Sequence, residues 1–391
     1  MTSEFVSDST LLRDDNLALK PHASPKQFSI CFLANASSTH TAKWVNHFSS
    51  KGHKVDLISF EDPCCISPEV NLHKLTSRWS TNSRYFTARA QVRKVLDVVR
   101  PDLLHAHYAA GYGTLGRLAN FHPYILSVWG SDVFEVPARS PLHRTLIRSN
   151  LASADYVCST SRFMALHTQK YCKSKIFVTP FGIDCERFKP CVCSSIEKKE
   201  LLIGTVKTLD ETYGVDYLIK SFAAVAKQYA GSKKLRLIIA GDGPLKNYLQ
   251  NLAKDLGIEE SVDFLGFVPQ DQIPALLNGL SIFVAVSVFE TFGVAILEAS
   301  ACGLPVVVSD AGGLGEVMKD GITGVMVPKC DVSATAEAIA NLIDDDELRT
   351  RMGKSGRNFV LENYEWNENA SRMERLYESA RFASKVPALE G

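Results

Sequence analysis

Glu290 and Glu298 stand eight positions apart in Val288-Phe289-Glu290-Thr291-Phe292-Gly293-Val294-Ala295-Ile296-Leu297-Glu298-Ala299, and the second lies among small and apolar residues. A carboxylate facing a packed interior is costly unless it accepts hydrogen bonds, and its two oxygens suit a vicinal diol such as ribose. Ahead of the pair, Ile282 to Val286 is an apolar run of strand length; behind it, Gly303 and Pro305 are helix stop signals. This pattern predicts a strand, a loop, then a short buried helix beginning near Gly293. Glu290 then sits just before the helix start and Glu298 one to two turns inside. Backbone N–H groups at a helix start suit a phosphate. A nucleotide diphosphate sugar offers the diol, the phosphates and further hydroxyls for Glu290. An exposed loop acid and a salt-bridged helical Glu would show the same spacing.

Open α/β sheets bind ligands at the carboxyl ends of their strands. In the second half those positions hold Lys207, Gly241-Asp242-Gly243 and Gly266, followed by Glu290. In the first half they hold His105 and His107, then Trp129-Gly130-Ser131-Asp132. The two histidines share one strand face, and only His107, nearer the strand end, should reach a ligand. After the first strand, Ser38 or Thr39 can cap a helix and His40 can enter the site. Gly111-Tyr112-Gly113-Thr114-Leu115-Gly116 spells a dinucleotide-binding pattern, with Asp132 further on. That would make the chain a nicotinamide-dependent oxidoreductase, but the pattern falls on a later strand–helix unit than the first. Asp344-Asp345-Asp346 lies between helix patterns and reads as a turn or cap rather than a metal site.

The Glu290–Glu298 element resembles the paired-glutamate signature of the family 4 retaining glycosyltransferases. Other motifs resemble that family in the same order: Gly52-His53-Lys54-Val55, Pro101-Asp102-Leu103-Leu104-His105-Ala106-His107, Thr179-Pro180-Phe181-Gly182-Ile183-Asp184, Gly241-Asp242-Gly243-Pro244, Phe264-Leu265-Gly266 and Ser309-Asp310-Ala311-Gly312-Gly313. The resemblance runs from about residue 28 to residue 380. It implies the GT-B fold, two doubly wound Rossmann-like domains facing across a cleft. It also implies a retaining transfer of sugar from a nucleotide-sugar donor, most simply a UDP-sugar, without a metal or other cofactor. Glu290, Lys207, Asp132 and His107 are then the catalytic candidates. Glu298, Phe292, Gly293, Val294, Gly241, Gly243, Gly266, Ser38 and His40 are the donor-binding ones. Three departures stand out. Tyr213-Gly214 occupies the place of a Lys–Gly pair, Trp129 that of a sugar-contacting His, and hydroxyl residues that of a Gly–Gly pair after the first strand. A nucleotide-sugar-binding protein without transferase activity is the alternative these departures suggest.

The elements that must carry these residues alternate strand and helix from Gln27 to Pro180, then restart at Leu201, which argues for parallel sheets. The expected parts are a polar leader (1–26), an acceptor-side domain (27–188), a nucleotide-sugar domain (200–365) and a terminal helix crossing back (366–391), with a linker near 189–199. At 391 residues, with 46% hydrophobic and 22% charged, the composition is that of an ordinary globular protein. Residues 1–184 hold 21 Lys and Arg against 14 Asp and Glu, while the rest is acidic. A helix from Ser83 to Val99 mixes Arg84, Arg89, Arg93 and Lys94 with apolar residues, a pattern able to rest on an anionic membrane surface. The ten cysteines show no zinc spacing. The expected setting is cytoplasmic, peripheral at the inner membrane face, with cell-surface polysaccharide or glycolipid synthesis as the role. The expected partners are the donor and a glycan, glycolipid or small hydroxyl acceptor, and no nucleic acid.

Overall fold

Short runs of branched apolar residues, buried on both faces, build two all-parallel sheets, as Ile282–Ala285 and Val306–Ser309 illustrate with every residue buried. The computed structural model describes residues 27–79, 83–191 and 200–383, so the expected leader and most of the expected linker lie outside the described residues. One unit runs to Pro180 and takes in the chain again from Ala370; the other spans Phe181–Asn369. The division precedes the expected linker because Phe181 to Lys189 belongs with the second unit: Ile183 bridges Glu365, and Gly182 lies against the Trp366 backbone.

The first unit contains β1 (Ser29–Leu33), β2 (Lys54–Ser59), β3 (Asn71–Lys74), β4 (Leu103–His107), β5 (Tyr124–Val128), β6 (Tyr156–Ser159) and β7 (Ile176–Val178). They lie in the order β3-β2-β1-β4-β5-β6-β7. The polar edge strand β3 carries no strand signal in sequence. It joins β2, where His73 Nε2 lies 2.7 Å from Asp56 Oδ1. The second unit contains β8 (Leu201–Val206), β9 (Leu235–Ala240), β10 (Val262–Gly266), β11 (Ile282–Ala285), β12 (Val306–Ser309) and β13 (Gly324–Val327), in the order β10-β9-β8-β11-β12-β13. Strand order reverses between β1 and β4 in one sheet and between β8 and β11 in the other. At such a switch point neighbouring loops part and leave a crevice beyond the strands' carboxyl ends.

The helix expected over Ser83 to Val99 divides into Arg84–Thr87 and Arg89–Val99. Ala88, fully buried, leaves helical geometry at ψ 1° and breaks it. Of the basic residues named for a membrane surface, Arg89, Arg93 and Lys94 are exposed. Val92 and Leu96 are buried in the core, and the Arg84 guanidinium pairs with Glu61 at 2.6 Å and lies over the Phe60 ring. Among the described residues no helix is long and apolar enough to cross a membrane.

From Ala370 onward the terminal helix Trp366–Ala383 packs into the first unit. Tyr377, fully buried, places its ring 5.0 Å from that of Phe48 and its hydroxyl 2.6 Å from His105 Nδ1. His53 Nε2 lies 3.1 Å from Glu374, and Arg381 pairs with Asp102 at the same distance.

Candidate functional site

In the second unit the switch between β8 and β11 brings Lys207 and Glu290 together. Lys207 Nζ donates to both Glu290 carboxylate oxygens, at 2.6 and 2.7 Å, and Ser287 Oγ donates to Oε2 at 2.9 Å. The two charged side chains are only 6% and 14% exposed. An ammonium has three donors and a carboxylate about four lone-pair sites. One Lys207 N–H and about one Glu290 acceptor site therefore remain for a ligand. The Tyr213 ring, in the place expected for a second cation, lies 4.9 Å from Lys207 Nζ as a cation–π partner.

The loops around this pair interlock. Lys207 N donates to Ala240 O, Leu209 N to Asp242 O and Gly241 N to Gly266 O, so the ends of β8, β9 and β10 are tied side by side. Gly241, at φ +143°, approaches so closely that a Cβ there would stand 1.8 Å from the Lys207 carbonyl oxygen. Gly243 similarly leaves room for the Leu209 backbone. On the other side Gly313 N donates to Glu290 O at 2.8 Å, and a Cβ on Gly312 (φ +63°) would meet that same oxygen at 2.1 Å. Val288 N and Phe289 N both donate to Thr212 O, pinning the Tyr213 turn to the loop that carries Glu290.

The helix Val294–Ala301 begins after Gly293, whose left-handed backbone gives it no side-chain cap. Phe292 is buried between Phe181 and Tyr364, so only its backbone can meet a ligand. Val294 is half-buried in the first helical turn. Glu298 is buried one turn inside and accepts a hydrogen bond from Gln270 Nε2 at 2.9 Å. Phe267, directly after Gly266, leaves its ring 77% exposed. Gln270, Ser287 and Phe267 were not singled out from the sequence, and Gly312–Gly313 was noted there only as part of a motif, not as the seat of the Glu290 loop.

The first-unit candidates are placed differently. Asp132 is fully buried and spends its carboxylate on the amides of Ala109 (2.7 Å), Trp129 (3.1 Å) and Gly130 (2.9 Å). Burial raises its pKa, and those amide bonds oppose the rise. A carboxylate so occupied orders the loops after β4 and β5 rather than meeting a sugar or acceptor. His107 is buried with its ring 4.5 Å from Trp129 and 5.4 Å from Phe32, and its Nδ1 has no hydrogen-bond partner. Burial, then His105 and His40, pushes its pKa well down, so the ring is neutral. His105 is a satisfied core residue between Tyr377 and Ser127. Ser38 caps the helix Thr39–Ser50 by accepting from Thr41 N, which accounts for its hydroxyl. His40 stands edge-on to Trp129 at 6.0 Å, and burial, then Lys43, lowers its pKa to about 4.

Gly111 to Gly116 is no phosphate loop. These residues lie in the helix Gly111–Ala119, where a Cβ on Gly111 would strike the Tyr85 ring at 2.5 Å and one on Gly116 the Tyr124 hydroxyl at 2.3 Å. The glycines make room for aromatic rings, and the oxidoreductase reading loses its motif. Of the three consecutive aspartates, Asp345 caps the helix Asp346–Asn363, and Asp344 bonds Tyr229 and Lys233.

The family model described as glycosyl transferases group 1 matches residues 193–359, and that described as glycosyl transferase 4-like matches residues 29–161. The chain is 26% identical to the N-acetyl-alpha-D-glucosaminyl L-malate synthase of Bacillus anthracis, over 84% of this chain and 90% of the relative. It is 29% identical to the GDP-mannose-dependent alpha-(1-6)-phosphatidylinositol monomannoside mannosyltransferase of Mycolicibacterium smegmatis, over 70% of this chain and 75% of the relative. In fold it is similar to an Anabaena protein, HepE, solved in complex with UDP and glucose, with a TM-score of 0.73 and 19% identity over 90% of this chain and all of that one. With the paired glutamates and the loops that seat them, these matches make the chain a member of the family 4 glycosyltransferases, on the GT-B fold.

Proposed function

We propose that this glycosyltransferase is a retaining, metal-independent hexosyltransferase that uses a UDP-sugar on the cytoplasmic side, in cell-surface polysaccharide or glycolipid synthesis. The observation that carries the donor reading is the Lys207–Glu290 pair at the β8–β11 switch, with buried Glu298 one turn into the adjoining helix. The UDP and glucose bound to HepE support the choice of nucleotide. A GDP-sugar is the second reading, favoured by the GDP-mannose dependence of the mycobacterial relative.

Glu298 accepts the ribose diol, and Glu290 uses its remaining acceptor site on a sugar hydroxyl. The exposed Phe267 ring suits stacking on the base. The free Lys207 N–H and the amides at the start of Val294–Ala301 meet the diphosphate as its charge develops. The acceptor oxygen forms its bond to the anomeric carbon on the face from which the diphosphate oxygen departs, and the leaving phosphate takes the acceptor proton. A transfer screen across UDP-, GDP- and ADP-sugars, with the product anomer read by NMR and EDTA present, tests this. The expected result is EDTA-insensitive transfer with retained configuration from a UDP-sugar. An inverted product overturns the retaining mechanism, and donor binding without transfer in any combination identifies a binding protein.

The two glutamates are expected to separate in calorimetry. Glu298→Ala should weaken binding of both UDP and the UDP-sugar. Glu290→Ala should leave UDP binding at least as tight, since it removes the carboxylate that opposes a bare anion, while lowering turnover on the order of 10²-fold, the scale of one positioned polar contact in a transition state. Equal UDP affinities in the two variants would refute this division of roles.

A further inference from the structure

A cavity of about 520 Å³ opens in the first unit beside the end of β4, with Tyr85 and Gly111 in its wall. Its size suits a small molecule rather than a protein segment. Phe86, Tyr108, Val136, Leu142 and Leu146 give it apolar walls, and two of these are left in water, Phe86 at 49% and Leu142 at 78% exposed. The lining hydroxyls of Thr114 and Thr145 bond backbone carbonyls of their own helices and that of Tyr108 bonds Ser131, so Ser149 carries the remaining aliphatic hydroxyl of the lining. Among the described residues no acidic side chain lines the cavity, whereas Arg117 and Arg139 do. Arg117 Nε donates to the neutral amide oxygen of Asn150 at 2.9 Å. Arg139 reaches Glu135 only at 4.0 Å, with both side chains more than half exposed, a pairing of little strength.

Apolar walls with two cations and no acid are complementary to one chemical class, a hydrocarbon chain ending in an anionic phosphate. We propose that this pocket binds an alkyl or polyisoprenyl phosphate as a single molecule, its chain between Leu142 and Leu146 and its phosphate on Arg117 and Arg139. The assignment deepens the proposed function, because it makes the acceptor lipid-linked, and only that word acceptor rests on the transferase reading. Binding itself is measurable without any transfer.

The test is calorimetric titration of the full chain with octyl phosphate below its micelle concentration, beside octyl glucoside and inorganic phosphate as chain-only and head-only probes. Octyl phosphate is expected to bind one per chain, at least about tenfold tighter than either comparator, the scale of one hydrogen bond to a charged group. Leu142→Asp and Arg139→Glu should each weaken it by about tenfold or more. Arg139→Glu should leave the octyl glucoside affinity unchanged. Both positions are exposed, so thermal unfolding midpoints and UDP affinity should match the wild type. Absence of octyl phosphate binding, equal binding by both variants, or equal affinity for inorganic phosphate overturns the proposal. If octyl phosphate binds as expected while no nucleotide does, the donor reading fails and the pocket stands.

Discussion

Lys207→Ala is expected to lower kcat/KM on the order of 10²- to 10³-fold, or about 2.7–4 kcal/mol of transition-state stabilisation. Its ammonium is the cation held at the β8–β11 switch, and the turn beside it presents Tyr213 where a second cation was looked for. The alanine also strands Glu290, 14% exposed, without its counter-charge. Part of the loss should therefore reflect a displaced Glu290 rather than a missing phosphate contact. The double variant Lys207→Ala/Glu290→Ala separates the two, because residues acting as one unit give far less than the sum of the single effects. Steady-state kinetics on the three variants decide the matter. An unchanged kcat/KM for Lys207→Ala would show that neither the lysine nor its hold on Glu290 contributes to the reaction.

Tyr377→Ala is expected to destabilise the first unit by about 3–5 kcal/mol, as for other fully buried aromatics. The ring packs on Phe48 at 5.0 Å, and its hydroxyl bonds His105 at 2.6 Å. Tyr377→Phe keeps the packing and removes only the hydroxyl, and should cost about 1–3 kcal/mol by leaving a buried nitrogen unpaired. Burial lowers the His105 pKa from its ordinary 6.5 to about 3, so the folded chain binds fewer protons there than the unfolded chain. This contribution to stability is complete above pH 6.5 and is lost as the pH falls from 6.5 toward about 3. Urea denaturation of wild type and both variants at pH 7 and pH 5 measures all three effects. Equal midpoints for Tyr377→Ala and wild type would show that the terminal helix adds no stability to the unit it packs in.

The strand expected over Ile282 to Val286 was legible to within one residue of Ile282–Ala285, because a strand buried on both faces is a continuous apolar run between turn signals. The helix start at Gly293 was legible for a similar reason. β3 was not, since an edge strand needs only a partner and Asn71-Leu72-His73-Lys74 shows no apolar alternation. At the site, which residues gather was readable from strand ends, but which of them bond one another was not. Lys207 and Glu290 are 83 positions apart, and only the β8–β11 neighbourhood reveals that each satisfies the other. Asp132 misled for the opposite reason. It stands at a strand end, yet the three amides it serves turn it inward.

The Lys207–Glu290 pair also bears on how the enzyme would tell its donor from the other anions of a cell. An isolated lysine in a sheltered crevice attracts any phosphate, and abundant free phosphate and nucleotides would then compete. Here the positive charge is already matched by a carboxylate at 2.6 Å, so a bare anion gains little by approaching and meets the repulsion of Glu290 as well. A sugar hydroxyl donated to that carboxylate turns the repelling group into a partner, and only then is the lysine worth sharing. On the proposed donor assignment, the ion pair would filter for ligands that carry a hydroxyl and a diphosphate on the same molecule.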